Sequence, residues 1–481
     1  MKQKCSSFLF GIMGALMGTS KNSCAAILHC LLPHLFGSNA QQKTILLALF
    51  AFKLQQNPAQ SCVPLVFRGA LIINCFLFAG PVFAATEVPE ISAAAAVVMD
   101  ASSGMIVYAK NPYEKIPPAS LTKLMTIYVA MDLAAQRGIL LDERFSVPPE
   151  SWWRNQPPRS SLMWLEEDHA VSLRELFLGL AVPSGNDAAV AVALKFSPSV
   201  KEFAGLMNKE AAKLGLRSTY FVEPSGVSEE NMTNASDFAI FCRKYIYTYP
   251  QNLLDYHSVP EFLYPMPENL PQFKKNNPRT RIHTNHVSLM GSFEGVDGLK
   301  TGYIDESGYN LALTALQNDT RFIIVLLGVP KEAGGYWGPR KRDADGRALL
   351  QWAFDNYQTV RPTLPKIPAA KVWKGKKSLM NVIPFHTGAG YPLSESPSII
   401  YPLDSFTVET GTTLENLTWN LKMNHLVAPF DAMTEAGTLD LYSDGKFIAG
   451  IKLLASEPCE KGALIKRFFH SIAMFFRGIS G

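Results

Sequence analysis

The feature that most limits the fold is one stretch that is apolar almost all round when it is wound as a helix. It runs from Leu121 to Gly138 and reads LTKLMTIYVAMDLAAQRG. Leu121, Leu124 and Tyr128 recur at helical spacing, and Gly138 is typical of a helix C-cap. Such a helix is stable only when other elements cover every side of it. The fold must therefore enclose a buried helix, and 481 residues of which 47% are hydrophobic can supply that core.

The segments around this helix predict an α+β domain over residues 90–360. A β-hairpin is expected first, with its turn at Ala101–Gly104. The later elements are helices over 173–180, 188–195, 200–214 and 343–357, and strands over 298–304, 309–316 and 321–328. Because strands lie at both ends and helices lie between them, the terminal strands should share one antiparallel sheet flanked by helices.

The C-terminal part predicts a second domain and a helix. Three prolines in residues 361–368 mark a boundary, since proline fits neither a helix interior nor a central strand. Residues 369–456 alternate in short stretches, which predicts a small all-β domain. In residues 459–479 one helical face collects Ile465, Phe468, Phe469, Ile472, Phe475, Phe476 and Ile479. An amphipathic helix of this kind predicts a membrane-surface anchor, and the alternative is a helix docked on the protein core or on a partner.

Charge and cysteine usage exclude some functions and indicate export. The chain has 45 Lys and Arg against 41 Asp and Glu, so nucleic-acid binding is not expected. Residues 1–85 contain no acidic residue, and after Arg68 an apolar run ends at the small residues Val82 and Ala84. This pattern predicts an exported protein with a leader over 1–85 and a signal peptide over 66–85; an uncleaved anchor or a start assigned too far upstream is the alternative. The spacing of Cys and His predicts no metal or other cofactor.

Ser120 and Lys123 form a Ser-x-x-Lys set at the start of the buried helix. A lysine three residues after a serine lies on the same helical face, within reach of the hydroxyl. Burial disfavours the ammonium form of a lysine, and a neutral amine can accept the serine proton. The alternative is a helix-capping serine followed by a lysine that extends to solvent.

Two more polar triplets follow along the chain. The segment Ser184–Asn186 interrupts an apolar helical region, where polar side chains are costly unless they have partners. The segment Lys300–Gly302 lies on a predicted strand, in which the glycine would let a ligand backbone come close. Taken singly, the first could be a helix cap and the second a strand-end lysine. Their order of S-x-x-K, S-x-N and K-T-G, each in suitable local structure, makes coincidence improbable.

This order of triplets resembles the low-molecular-mass penicillin-binding proteins of the D-alanyl-D-alanine carboxypeptidase family, relatives of the class A β-lactamases. The resemblance extends through PPASLTKLMT, VPSGNDA, GVDGLKTGYIDESGYNLA and RDADGRALLQWAF, and covers about residues 90–479. It implies a transpeptidase-like domain, a β-rich second domain and a C-terminal amphipathic anchor. It also implies a peripheral protein on the periplasmic face of the bacterial cytoplasmic membrane.

The resemblance implies an enzyme that removes the terminal D-alanine from peptidoglycan stem pentapeptides and that β-lactams inhibit covalently. Ser120 would be the nucleophile, Lys123 the general base, and Ser184 the proton relay to the leaving amine. The expected substrate-binding residues are Asn186 for the amide backbone, Lys300 for the Ser184 hydroxyl, Gly302 for close approach, Thr301 and Arg342 for the terminal carboxylate, and the N–H groups of Ser120 and Tyr303 for the oxyanion.

Two departures from the family pattern bear on substrate preference or deacylation rate. Tyr303 stands where family members often have His, and residues 223–227 read EPSGV where NPHGL is usual. Two other functions stay open. A class A β-lactamase would carry E-x-x-L-N between the second and third triplets, and this chain does not. A slow penicillin-binding wall module would fit the same pocket, although the intact triplets argue against it.

Overall fold

The described part of the chain covers most of both predicted domains. The computed structural model describes residues 87–331, 337–386 and 405–478. The predicted leader over residues 1–85, its signal peptide over 66–85, and Ile479 of the predicted anchor lie outside the described residues. All described residues belong to a single compact unit.

The helices follow the sequence prediction closely, with one addition. They are α1 (Thr122–Arg137), α2 (Leu173–Ala181), α3 (Asn186–Phe196), α4 (Val200–Lys213), α5 (Ala235–Thr248), α6 (Trp337–Asn356) and α7 (Leu464–Phe476). Helix α5 was not expected, because two buried basic residues, Arg243 and Lys244, interrupt its apolar pattern. Its sequence signal is the cap residue Asn234, whose side chain accepts the N–H of Asp237 at 2.7 Å.

The strands divide into a first group of nine and a second group that begins after α6. They are β1 (Ala95–Asp100), β2 (Ile106–Lys110), β3 (Arg144–Ser146), β4 (Ala170–Ser172), β5 (Glu261–Tyr264), β6 (Arg281–Thr284), β7 (Val296–Ile304), β8 (Gly308–Gln317), β9 (Thr320–Val329), β10 (Tyr357–Val360), β11 (Ala370–Trp373), β12 (Leu379–Met380), β13 (Val382–His386), β14 (Phe406–Glu409), β15 (Leu417–Met423), β16 (Leu426–Val427), β17 (Glu435–Ser443) and β18 (Lys446–Ala455).

An antiparallel sheet in the order β2-β1-β9-β8-β7 organises the first domain. The N-terminal hairpin joins β9, the last strand of this domain, because β1 pairs with β9 and places Val97 opposite Val325. Because side chains alternate between faces, Val97 and Val325 enter a core with α1 to α5, whereas Val98 and Ile324 enter a second core with α6. The predicted α+β class, with terminal strands sharing one sheet, is confirmed, and β7 forms one edge.

Helix α1 lies inside the first core, as its composition predicts. Leu124 and Met125 are fully buried, and each large apolar side chain contributes about 1.5–3 kcal/mol. Gly138 ends the helix in the left-handed region, at φ +64°. Ser120 lies in a 3-10 turn, Ala119–Leu121, that leads directly into α1. The rigid helix therefore fixes the residues at its first turn.

The second domain consists of two small sheets, in the orders β13-β18-β17-β15 and β12-β11-β16. Strand β10 pairs with β14 and links this domain to α6. The buried carboxylate of Asp100, at the end of β1, accepts hydrogen bonds from Thr359 Oγ1 at 2.8 Å and Thr407 Oγ1 at 2.7 Å. These bonds attach β10 and β14 to the N-terminal hairpin, on the β1 side of the sheet.

Helix α7 turns large apolar side chains to the outside. Those exposed are Leu464, Ile465, Phe468, Phe469, Ile472, Phe475 and Phe476. On the other side, His470 Nδ1 accepts the N–H of Lys374 at 2.8 Å, and Met474 is buried. The helix thus contacts the second domain through one face and leaves the aromatic face uncovered. Within the described ranges, no helix combines the length and apolar character needed to cross a membrane.

Candidate active site

Ser120 is held where three backbone segments meet. The preceding residue, Ala119, has φ +50°, a value that residues other than glycine rarely adopt. A Cβ placed on Gly226 would lie 1.9 Å from Ala119 O, and a Cβ placed on Gly302 would lie 3.1 Å from Ser120 N. Strained backbone of this kind persists only where the surroundings determine it, which is common at functional sites.

Lys123 is fully buried, and its amine contacts the Ser120 hydroxyl. Lys123 Nζ donates to Ser120 Oγ at 2.9 Å, to Asn186 Oδ1 at 2.8 Å and to Ser225 O at 2.5 Å. Burial is the main cause that lowers the pKa of Lys123 to about 7. At neutral pH a large fraction of this amine is therefore uncharged.

This geometry suits a general base. A neutral amine has two N–H donors and one lone pair, and Asn186 Oδ1 and Ser225 O supply two acceptors. The lone pair is then left for the hydroxyl proton of Ser120. The alternative, a lysine that extends to solvent behind a capping serine, is wrong, because Lys123 is 0% exposed and the start of α1 has no side-chain cap.

The second triplet lies beside this pair. Ser184 adopts φ +62° and is 3% exposed. Its Oγ has no hydrogen-bond partner among the residues that the structure describes. Asn186 begins α3, accepts from Lys123, and donates through Nδ2 to Ser160 Oγ at 3.0 Å. A buried hydroxyl without a partner is costly, and this is the kind of group that a bound substrate would satisfy.

A wall of the site, residues 160–165, is held by the buried carboxylate of Asp187. That carboxylate accepts the N–H groups of Met163 at 2.8 Å, Trp164 at 2.7 Å and Leu165 at 3.0 Å. Burial raises the pKa of Asp187, and these backbone hydrogen bonds act in the opposite direction. Sequence reasoning missed Asp187, although it directly follows the S-x-N triplet.

Strand β7 brings the third triplet to the site. Lys300 is 1% exposed, and its Nζ donates to Thr301 O at 3.0 Å. Burial, followed by the charges of Lys123 and Arg342, lowers the pKa of Lys300 well below its usual range. The three cations therefore lie close enough to interact electrostatically, and an anion between them would relieve their repulsion.

Lys300, expected to act electrostatically on the Ser184 hydroxyl, makes no hydrogen bond to it among the described residues. The Lys300 amine bonds to the carbonyl of the next residue instead, and Ser184 Oγ has no described partner. Arg342, expected at the substrate carboxylate, is 6% exposed on α6. Its Nη2 lies 2.7 Å from the carboxylate of Asp343, and its Nε donates to that group at 2.8 Å. The side chains of Lys300 and Arg342 thus both bond to neighbouring residues of the chain.

Gly302 and the side chain of Tyr303 both contact other parts of the chain. Gly302 makes room for the chain's own backbone, because a Cβ there would lie 2.9 Å from Pro118 O. Tyr303 is 37% exposed, and its Oη donates to Asp305 at 2.6 Å. Its ring lies 4.4 Å, centroid to centroid, from that of Tyr309. The tyrosine side chain is therefore engaged at the surface, whereas the β7 backbone beside it packs against Ser120.

A loop between α4 and α5 completes the site, although its EPSGV run was noted in the sequence only as a departure that bears on substrate preference or deacylation rate. It supplies Ser225 O for Lys123 and Gly226 for the contact with Ala119. Its shape depends on Glu223, whose carboxylate accepts the N–H groups of Ser225 and Gly226, both at 2.6 Å. The Pro-Ser-Gly turn within EPSGV was the available signal, since such residues mark tight turns.

A buried histidine, His257, connects β7 to helix α5. His257 Nδ1 lies 3.1 Å from Leu299 O, and its Nε2 lies 2.7 Å from Tyr245 Oη. Burial lowers the pKa of His257 to about 3, so the ring is neutral and adds no positive charge beside Lys300. A neutral imidazole has one donor and one acceptor, and the Leu299 carbonyl assigns the donor to Nδ1.

A group of possible metal ligands elsewhere in the domain already has protein partners. Glu166, Asp168 and His169 lie together. Glu166 Oε1 accepts from Trp153 Nε1 at 3.3 Å, Asp168 pairs with Lys274 at 2.7 Å, and His169 Nδ1 bonds to Tyr264 Oη at 2.8 Å. We therefore assign no metal to this group.

The fold and the site together define a serine acyl-transfer enzyme of the Ser-x-x-Lys class. A buried helix presents the serine and lysine at the edge of an antiparallel sheet, and two further polar triplets surround them. The chain belongs to the peptidase family described as D-alanyl-D-alanine carboxypeptidase, which matches residues 82–331.

Individual relatives agree with this family. The D-alanyl-D-alanine carboxypeptidase DacC of Escherichia coli is 33% identical over 83% of this chain and 93% of its own. DacF of Bacillus subtilis is 30% identical over 78% of this chain and 87% of its own. The crystal structure of penicillin binding protein 5 from Haemophilus influenzae has 28% identity and a TM-score of 0.63, and the match covers 78% of this chain and all of that one. The predicted family, fold class and hydrolase class are confirmed.

Proposed function

We propose that this chain is a serine-type D-alanyl-D-alanine carboxypeptidase of the bacterial cell wall, in which Ser120, Lys123 and Ser184 carry the chemistry. The observation that carries the proposal is the buried Lys123 amine, with a pKa of about 7, lying 2.9 Å from Ser120 Oγ. The names of the relatives support a peptidoglycan stem peptide ending in D-Ala-D-Ala as substrate and β-lactams as covalent inhibitors.

Acylation begins when Ser120 Oγ attacks the carbonyl carbon between the two terminal D-alanines. The hydroxyl proton passes to Lys123 Nζ as the C–O bond forms. The carbonyl oxygen becomes an oxyanion, which the backbone N–H groups of Ser120 and Tyr303 stabilise. The close packing of Gly302 on Ser120 N supports this pairing. Loss of one such donor typically costs about 3 kcal/mol of transition-state stabilisation.

The tetrahedral intermediate then breaks its C–N bond. The leaving amine takes a proton from the Ser184 hydroxyl, and the Lys123 ammonium replaces that proton. The unpartnered Ser184 Oγ supports this role, because the leaving amine would be its missing partner. D-Alanine departs, and water attacks the Ser120 ester with Lys123 as base. The products are the free serine and a stem peptide one residue shorter.

The remaining site residues hold the substrate. Asn186 bonds its amide backbone, and Thr301 and Arg342 receive the terminal carboxylate. Lys300 lies among the same charges, and an anionic carboxylate would stabilise its ammonium form and orient it toward Ser184. This arrangement requires a free C-terminus on the substrate, so the reaction is that of a carboxypeptidase.

The enzyme acts outside the cytoplasm, at the periplasmic face of the cytoplasmic membrane. The acid-free segment 1–85 directs export, and a signal peptide over 66–85 is removed. The exposed aromatic face of α7 then lies in the membrane surface as a peripheral anchor. Lys466, Arg467 and Arg477 flank this face and suit an anionic headgroup layer.

Two reactions on the purified protein test this function. A peptide ending in D-Ala-D-Ala should release D-alanine, and a fluorescent penicillin should form a long-lived adduct. Ser120→Ala should abolish both while the circular dichroism spectrum is unchanged. Rapid penicillin turnover would indicate a β-lactamase, and an adduct without D-alanine release would indicate a wall-binding module. Either activity persisting in Ser120→Ala would exclude this nucleophile.

A further inference from the structure

Glu223 has an unusual set of partners for a carboxylate beside an active site. Its Oε2 accepts the N–H and the hydroxyl of Ser225, both at 2.6 Å. Its Oε1 accepts the N–H of Gly226 at 2.6 Å and Asn231 Nδ2 at 2.9 Å. Oε1 also accepts the N–H of Ser228 in a long hydrogen bond of 3.5 Å. All five donors are neutral, and within the described residues no ion pair involves Glu223. Its negative charge is therefore not neutralised by a contacting cation.

Ser225 connects this carboxylate to the catalytic amine. The same residue that donates twice to Glu223 accepts from Lys123 Nζ through its carbonyl oxygen, at 2.5 Å. The Glu223 carboxylate is thus connected to the Lys123 amine through a single residue, Ser225. Its charge favours the ammonium form of Lys123, as the charge of Asp187 does to a smaller extent.

The other charged groups around Lys123 come from three elements. Asp187, on α3, also favours the ammonium, but its oxygens are occupied by backbone N–H groups. Lys300 on β7 and His286 before it interact with Lys123, and Arg342 on α6 interacts with both of them. The pKa of Lys123 itself is lowered by burial, and the charges of Glu223 and Asp187 oppose that shift by favouring the ammonium form.

We propose that Glu223 sets the pH range of acylation, because its charge favours protonated Lys123 and its hydrogen bonds fix the carbonyl that orients this amine. The inference rests on the proposed role of Lys123 as base. Glu223 is a positioning residue, since it acts through Ser225 and Lys123.

The test is the pH profile of acylation by a fluorescent penicillin, from pH 5.5 to 9, for the wild type and Glu223→Gln. Removing the charge should lower the pH at half-maximal rate by about one unit. With the pKa of Lys123 at about 7, the rate at pH 6 should rise from roughly 10% to roughly 50% of its plateau, about fivefold. Glu229→Gln is the matched control, because Glu229 is exposed on the same loop. Its profile should stay at the wild-type position.

Two further variants separate charge from shape. Glu223→Asn should shift the pH profile as Glu223→Gln does. It replaces Glu223→Gln in the test if circular dichroism shows that Glu223→Gln does not fold. Glu223→Asp keeps the charge on a shorter side chain, so it should lower the plateau rate without moving the midpoint. An unmoved midpoint in a folded neutral variant, its complete inactivity at every pH, or a moved midpoint in Glu223→Asp would each overturn the proposal. Absence of Ser120-dependent acylation in the wild type would instead refute the proposed function.

Discussion

Replacing Gly226 with alanine should slow acylation, because it pushes on the backbone that carries Ser120. Gly226 has φ +84°, where a residue with a Cβ costs about 1–2 kcal/mol. The new Cβ would lie 1.9 Å from Ala119 O and 2.3 Å from Ala119 C. Ordinary contact requires about 3.5 Å, so one of the two backbones must move by roughly 1.5 Å.

The expected size of this effect follows from those contacts. Overpacking adds about 1–3 kcal/mol, which gives a total loss of about 2–5 kcal/mol in the free energy of unfolding. That is a large part of the 5–15 kcal/mol typical of a folded protein. Displacement of a reacting group by about 1 Å costs roughly 100-fold in rate. We therefore expect both a lower melting temperature and an acylation rate that is about 100-fold lower.

The matched control is Gly138→Ala. Gly138 also has a positive φ, +64°, but a Cβ there would meet nothing within 4 Å. This variant should lose only the conformational cost of about 1–2 kcal/mol and keep the wild-type acylation rate. Urea unfolding gives the stabilities, and the rate of adduct formation with a fluorescent penicillin gives the acylation rates. A wild-type rate in Gly226→Ala, or equal impairment of the two variants, would refute the reasoning.

Three more predictions concern the base, the wall and the anchor. Acylation by the wild type should rise with pH and reach half its maximum near pH 7, because only the neutral form of Lys123 accepts the proton; a flat profile from pH 5.5 to 9 would contradict this. Asp187→Asn should lower the free energy of unfolding by about 1–3 kcal/mol, since one of the two acceptor oxygens becomes a donor facing backbone N–H groups. Urea unfolding measures this change. An unchanged free energy of unfolding would show that Asp187 does not hold residues 160–165. Exchange of both Phe475 and Phe476 for serine should reduce co-sedimentation with anionic vesicles. The control Phe447→Ser, at an exposed position in the second domain, should bind the vesicles like the wild type. Equal vesicle binding by the double variant and the control would place the anchor elsewhere.

Local patterns predicted the parts of the site that depend on neighbouring residues. Ser120 and Lys123 are three residues apart at the start of a helix, so the spacing alone places them together. The apolar character of α1 required burial, and burial in turn lowers the pKa of Lys123. The sheet was predictable because alternating strands at both ends of the domain have few other ways to pair.

The missed features depend on contacts between distant segments. Ser225 O accepts from a lysine that lies about 100 positions earlier in the chain, and nothing in the EPSGV run indicates that acceptor. The contact made by Gly302 was missed for the same reason, since the backbone that needs its space belongs to Pro118 and Ser120. The hydrogen bond from Lys300 to the carbonyl of Thr301 was not expected either, and it forms because a buried amine takes the acceptor that the local strand offers.

The most direct measurement is the position of the covalent adduct. After reaction with penicillin at pH 8 and digestion with trypsin, mass spectrometry should find the penicilloyl group on Ser120, with cleavage at Lys123 defining the end of its peptide. The Lys123→Met variant should form little or no adduct in the same time, because the base is missing. An adduct on another residue, or undiminished labelling without Lys123, would contradict the account.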